Sequence, residues 1–226
     1  MGLGLTAAVI VLMVGTMLLV RRLLENNMTT VTIQTGPSYD ESILSVQDKE
    51  MAERTEEVVI DRFGEDPVAT FQAMQPTARA NEVEAFARDL IDLYDLDADV
   101  EICTLPKGLM GYYSYDQKLL RVDVSGLLFD FTLLPAENRL EAMTFVVKET
   151  LDTVVHELRH AVQYKAIEVD NDRYWGIDEQ RRIEWAANIV DYIEDPTDPR
   201  GYFEQPIEKD CFTFADEALK GVFNYE

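Results

Sequence analysis

The chain has 226 residues, 47% of them hydrophobic, and a formal net charge of -23 at pH 7. That length suits one medium domain with a real core plus a short appendage. An acid excess of this size repels nucleic-acid phosphates, which excludes DNA and RNA as partners and favours solubility.

The first element is apolar. Leu3 to Val20 contains no charged residue, and eighteen residues at the helical rise span about 27 Å, enough for a bilayer core. Arg21-Arg22 follows the run, whereas a cleaved signal peptide carries its positive charge before it. The segment therefore reads as an uncleaved single-pass anchor, and its apolar surface on every side argues against a core helix. The positive-inside rule keeps the arginine pair, and with it the rest of the chain, in the cytoplasm. Met1-Gly2-Leu3-Gly4-Leu5-Thr6 also fits a loose myristoylation pattern, a coincidence in front of a full span. The organisation expected is an anchor over 1–25, a linker and acidic helix over 26–75, and one folded domain over 76–226.

Asn26 to Tyr39 is polar and reads as a linker. Asp40 to Phe63 has helical rhythm and many acids, so it is either a stalk or a helix lying on the domain. Gly64-Glu65-Asp66-Pro67 ends it. Val68 to Met74 adds a short helix. Pro76 opens an amphipathic helix to about Leu96, with Val83, Phe86, Ala87, Leu90, Ile91 and Tyr94 on one face. Three strands follow at 100–105, 110–115 and 119–124. Tyr115 to Lys118 is a hairpin connection between the last two, and the expected sheet is small and antiparallel. Asn138 to Ile167 is one long helix, since Leu140, Met143, Val147, Leu151, Val154, Val155, Leu158, Ala161 and Val162 recur at helical spacing. Ile177 to Ile193 and Pro206 to Phe223 are two more, the latter with Pro at a favoured first-turn position. The mixture is α+β. The two cysteines, Cys103 and Cys211, form no CxxC pair and read as buried thiols of a reducing compartment.

The only two histidines of the chain stand in His156-Glu157-Leu158-Arg159-His160, well inside the long helix. Two histidines placed at random in such a chain fall four apart in roughly one case in a hundred, and a Glu after the first makes chance about ten times rarer. On a helix, positions four apart share a face, so both imidazoles can grip one metal ion. Glu157 can then take a proton from a water held there, which is the minimal machinery of zinc-dependent peptide hydrolysis. Catalytic zinc usually takes three protein ligands. With no third histidine, the third must be Asp, Glu or Cys, and a downstream carboxylate is the natural candidate.

At this point a family resemblance enters. His156-Glu-Leu-Arg-His160-Ala-Val-Gln163 resembles the box of the small gluzincins, compact zinc peptidases of bacterial, phage and mobile-element origin. Tyr202-Phe-Glu-Gln205-Pro206-Ile-Glu208-Lys-Asp210-Cys211 is similar to that group's Tyr-x-x-Gln-Pro-x-Glu-x-Asp-Ala segment, with Cys211 at the usual alanine. The resemblance covers about Val100 to Ala218 and implies a minimal zincin domain with zinc bound by His156, His160 and Glu208. A Glu in the first turn of a helix with a Pro-marked entry can be aimed inward, which agrees. Glu184, in Glu-Trp-Ala-Ala-Asn, is the rival third ligand, and Asp210 and Glu204 are further carboxylates at hand.

The expectation is a membrane-anchored zinc metallopeptidase with a cytoplasmic catalytic domain, acting on peptides or proteins, with Glu157 as general base. An edge strand, 110–115 or 119–124, would hold substrate by strand addition. Tyr112, Tyr113 and Tyr202 are candidate oxyanion donors. Asp152, Gln163 and Asp210 are candidates for holding the histidine tautomers, and Arg159 is expected to turn from the metal face and pair with an acid. Two other readings share these residues: a non-catalytic zincin-like interaction module, and a metal-dependent hydrolase with a non-peptide substrate. Retention of Glu157 speaks against the first of these.

Overall fold

The computed structural model describes residues 40–169, 174–193 and 199–223. The expected anchor and linker lie outside the described residues, and among those described no helix is long and apolar enough to cross a membrane.

Helix α1, Val46–Phe63, starts at a reciprocal cap. The Ser45 hydroxyl accepts from the Asp48 N–H at 3.1 Å and the Asp48 carboxylate accepts from the Ser45 N–H at 2.8 Å. Gly64, at φ 78°, ends it in a conformation that side chains resist. Its acidic face is solvated, but Ala52, Thr55, Val59 and Phe63 are buried. Phe63 meets the rings of Phe71 and Phe86 at 4.9 and 5.6 Å. The acidic helix is therefore no free stalk; it belongs to the core.

Asp66 caps α2, Pro67–Ala73, and Pro76 opens α3, Pro76–Leu93, which buries the expected apolar stripe. The strands are β1, Asp99–Cys103, β2, Gly111–Ser114, and β3, Leu119–Asp123. The expected turn joins the last two, with Lys118 at φ 47°. The sheet order is β1-β3-β2, with β1 parallel and β2 antiparallel to β3. This corrects the expectation of an antiparallel sheet. Alternation marks a strand but not its neighbour, and the segment after β1 carries the chain past β3 before β2 begins. The 119–124 strand is thus the centre of the sheet and offers no free edge, which leaves β2 as the edge beside the box helix.

That helix, α4, Ala136–Val169, runs through the core and buries Leu151, Val154, Val155, Leu158 and Val162, while Leu140 is exposed. A fully buried side chain of this kind contributes about 1.5–3 kcal/mol. Helix α5 spans Glu179–Val190, α6 Pro199–Phe203 and α7 Pro206–Phe223. Helix α7 packs against both α4 and α1, so its first turn meets the histidine face of α4.

Candidate metal centre

The helical register puts His156 and His160 on one buried face of α4, with ring centroids 4.9 Å apart. Glu208 reaches them from the first turn of α7, where Pro206 and two amides set the approach. The Gln205 Oε1 accepts from the Asn188 amide at 3.0 Å and from the Ile193 N–H at 2.7 Å, and the Ile207 N–H donates to Asn188 Oδ1 at 3.2 Å. The Gln-Pro pair of the sequence is therefore a geometric device for aiming Glu208.

The Nε2 atom of His156 lies 3.3 Å from Glu208 Oε2, and the Nε2 atom of His160 lies 3.3 Å from Glu208 Oε1. Two ligand atoms on one tetrahedral zinc, each at about 2.05 Å, sit about 3.3 Å apart. The spacing therefore fits a shared ion. A second observation agrees: among the described residues, His156 Nε2 is buried with no hydrogen-bond partner, although a carboxylate oxygen is that close. Both Nε2 atoms thus face the one Glu208 carboxylate.

Glu208 is fully buried, which opposes its ionisation, but the facing His160 and His156 outweigh burial and hold its carboxyl well below the usual range. Tyr202 donates to its Oε2 at 2.7 Å and Tyr192 donates to its Oε1. Burial and the Glu208 charge push both phenols above the usual tyrosine value, so both remain donors.

Glu157 is buried beside this point. Its Oε2 accepts from the backbone N–H of Tyr113 at 3.0 Å. Burial raises its pKa, and the imidazoles of His156 and His160 offset part of that rise. Strand β2 comes this close because residue 111 is glycine: a Cβ there would stand 2.6 Å from Thr153 Cγ2 and 2.9 Å from Arg121 O. The Asp123 N–H donates to Met110 O, so alternation turns the backbone groups of Gly111 and Tyr113 toward the free edge of β2.

Behind the two histidines and Glu208 lies a buried polar network. The Nδ1 of His160 contacts Gln163 Oε1 at 2.9 Å, and Gln163 Nε2 donates to Asp210 Oδ2 at 2.8 Å and to Ile207 O at 2.9 Å. Arg159 turns from the metal face, as expected, and donates from Nε to Asp210 Oδ2 at 2.8 Å and from Nη2 to Asp48 Oδ1 at 2.7 Å. Arg181 bridges the same two acids. The guanidinium of Arg159 also lies 4.7 Å from the Phe214 ring centroid and 5.2 Å from that of Trp175.

The other candidates fall elsewhere. Glu184 is exposed and bonded by Gln180, and Glu204 is exposed, so neither reaches the histidines. Asp210 is committed to the arginines. The Tyr112 hydroxyl accepts from Arg121, beneath whose guanidinium its ring lies, on the face of β2 opposite Gly111 and Tyr113. Tyr202 serves Glu208 rather than an open oxyanion position. Asp152 does not hold His156, since His156 Nδ1 has no hydrogen-bond partner among the described residues.

Four participants were not foreseen: Asp48, Arg181, Tyr192 and the contact of Cys211 with the site. The first three arrive through tertiary packing. Cys211 was legible, being three residues after Glu208 and so on the same face of α7. Its Sγ lies 3.3 Å from His160 Nδ1, and His156, His160 and Cys211 are close enough together to share an ion. The two sets differ in the imidazole nitrogen they use. Cys211 meets His160 at Nδ1, the nitrogen that Gln163 also contacts, whereas Glu208 faces the Nε2 atoms of both histidines.

No protein-family model, curated protein or solved structure matches this chain.

Proposed function

We propose that this chain is a membrane-anchored zinc metallopeptidase whose zinc is held by His156, His160 and Glu208. The observation that carries the reading is the 3.3 Å spacing of both Nε2 atoms from the Glu208 carboxylate, with Glu157 alongside. The likeness to the small gluzincins agrees with this ligand set, and the apolar run at 3–20 with its flanking arginines supports the anchor and a cytoplasmic active site.

When bound, zinc supplies Lewis acidity that acidifies a water and polarises a carbonyl. The protein's own groups do the rest. Glu157 is held at Oε2 by Tyr113, which leaves its Oε1, among the described residues, to take the proton from the attacking water and to pass it to the leaving amine. The raised pKa of Glu157 matches that double role, because a carboxylate of ordinary acidity is a poorer base near neutrality. The outward backbone groups of β2 other than the Tyr113 N–H, which serves Glu157, suit an extended peptide that adds to the sheet edge, next to the base. Tyr192 and Tyr202 fix the Glu208 carboxylate, and Gln163 fixes the orientation of His160.

The test uses the full chain in detergent. Wild type is expected to retain about one zinc per chain and to cleave members of a peptide library. Glu157→Gln is expected to keep zinc and lose cleavage, and Glu208→Ala to lose zinc. Unchanged zinc in Glu208→Ala would sink the ligand assignment. Zinc binding with no cleavage of any peptide would favour the non-catalytic module.

A further inference from the structure

Asp48 lies in α1, outside the stretch that resembles a peptidase, yet it is among the most deeply buried charges of the protein. Its carboxylate accepts from the Ser45 N–H and hydroxyl, from Arg159 Nη2 at 2.7 Å and from Arg181 Nη1 at 2.6 Å. Four charged side chains, Asp48, Arg159, Arg181 and Asp210, thus form one cluster of zero net charge. Burying ion pairs is a poor way to gain stability, because desolvation consumes most of the Coulombic gain. It is a good way to fix geometry, since each bond is directional and each unpaired charge is costly.

What the cluster fixes is the two ligand-bearing helices. Arg159 sits between the two histidines of the box, so anchoring it sets the rotation of α4. Asp210 stands two residues after Glu208, so anchoring it sets the first turn of α7. The same carboxylate passes the constraint on through Gln163 to His160 Nδ1. Asp48 clamps the pair from a third element: Arg159 and Arg181 each bond both Asp48 and Asp210.

We propose that Asp48 is a positioning residue for the metal site, and that α1 is a working part of the active centre rather than an accessory to the anchor. This rests on the reading of His156, His160 and Glu208 as a zinc site. Outer-shell partners typically change metal affinity by roughly 10–100-fold, and the Asp48 clamp acts on both ligand helices.

The experiment compares full-length wild type, Asp48→Asn and Thr55→Val. Thr55→Val, on the same helix as Asp48, removes the buried 2.8 Å contact of Thr55 with Tyr94 at the end of α3 and serves as a control for lost stability alone. Zinc Kd is measured by chelator competition well below each Tm, and the visible d–d bands of the cobalt-substituted proteins are recorded. Asp48→Asn, which acts through Arg159 and Arg181 rather than on a ligand, is expected to weaken zinc binding by about 10-fold, the lower end of that range, and to alter the cobalt bands. Thr55→Val is expected to lower Tm while leaving both unchanged. Should Asp48→Asn fail to fold, Arg181→Gln breaks the same clamp from its less buried side and is expected to weaken zinc binding in the same direction. Wild-type Kd and cobalt bands in the folded clamp variant overturn the proposal and leave the zinc site standing. Absence of zinc binding in wild type overturns both.

Discussion

The backbone N–H of Tyr113 donates to Glu157 Oε2 at 3.0 Å, which makes the edge strand and the proposed base one mechanical unit. The strand that would receive substrate is the strand that aims the carboxylate. Its consequences can be measured separately from zinc binding.

The first concerns pH. Burial raises the pKa of Glu157, and a base works only when deprotonated. Activity is therefore expected to fall on the acid side as pH falls through the Glu157 titration. Glu157→Gln is expected to lower kcat by roughly 10²–10⁴-fold with zinc content unchanged. A pH–rate profile together with zinc analysis checks both.

The second concerns Gly111. A Cβ here would press on Thr153 Cγ2 at 2.6 Å and Arg121 O at 2.9 Å, so Gly111→Ala is expected to push β2 away from α4. Overpacking of this kind costs about 1–3 kcal/mol, and the Tyr113–Glu157 bond lengthens with it. Activity should fall more than zinc affinity. Adding Thr153→Ala removes the nearer clash and is expected to restore part of the kcat, which steady-state kinetics of the double variant would reveal.

The third concerns acid stability. Burial opposes the ionisation of Asp48 and Asp210, but Arg159 and Arg181 outweigh it and depress both pKa values. The folded values thus lie below the unfolded value of about 3.9. Their stabilisation is fully present above that value and is lost as pH falls through the depressed folded values. The arginines stay charged throughout. Asp48→Asn is expected to cost about 3–5 kcal/mol near neutrality, as for one broken partner of a buried pair. The gap in Tm from wild type should then narrow as pH falls below about 4. Thermal melts from neutral pH downward test the sign.

Glu208 provides the fourth. Tyr202→Phe removes the 2.7 Å bond to Oε2 and leaves the Tyr192 bond to Oε1. Zinc affinity is expected to fall by roughly 10-fold or more, with the fold intact by circular dichroism. An unchanged affinity would mean that Tyr192 alone orients the carboxylate.

Local signals in the sequence carried much of this. Helical periodicity marked α3, α4 and α7 nearly to their ends, and the His-Glu-x-x-His spacing picked out the buried face of α4. The likeness to the small gluzincins pointed to Glu208, and the Pro-marked helix entry agreed, but the contacts of Gln205 with Asn188 and Ile193 that set its approach come from packing. Neighbour relations were not legible. Alternation in 99–123 did not reveal that β1 crosses to the far side of β3. The acidic look of α1 hid Asp48, whose partners Arg159 and Arg181 lie more than 100 residues away. Tyr112 carried the right chemistry but falls on the wrong face of β2, because a one-residue step in a strand reverses the side chain.

The central claim is the ligand set, and Cys211 is its structural rival, with Sγ at 3.3 Å from His160 Nδ1. Zinc K-edge X-ray absorption on the zinc-loaded full chain separates the two most directly. Only nitrogen and oxygen ligands at about 2.0–2.2 Å are expected, two of them with imidazole scattering. A sulfur ligand at about 2.3 Å would put Cys211 in the place assigned to Glu208 and contradict the account.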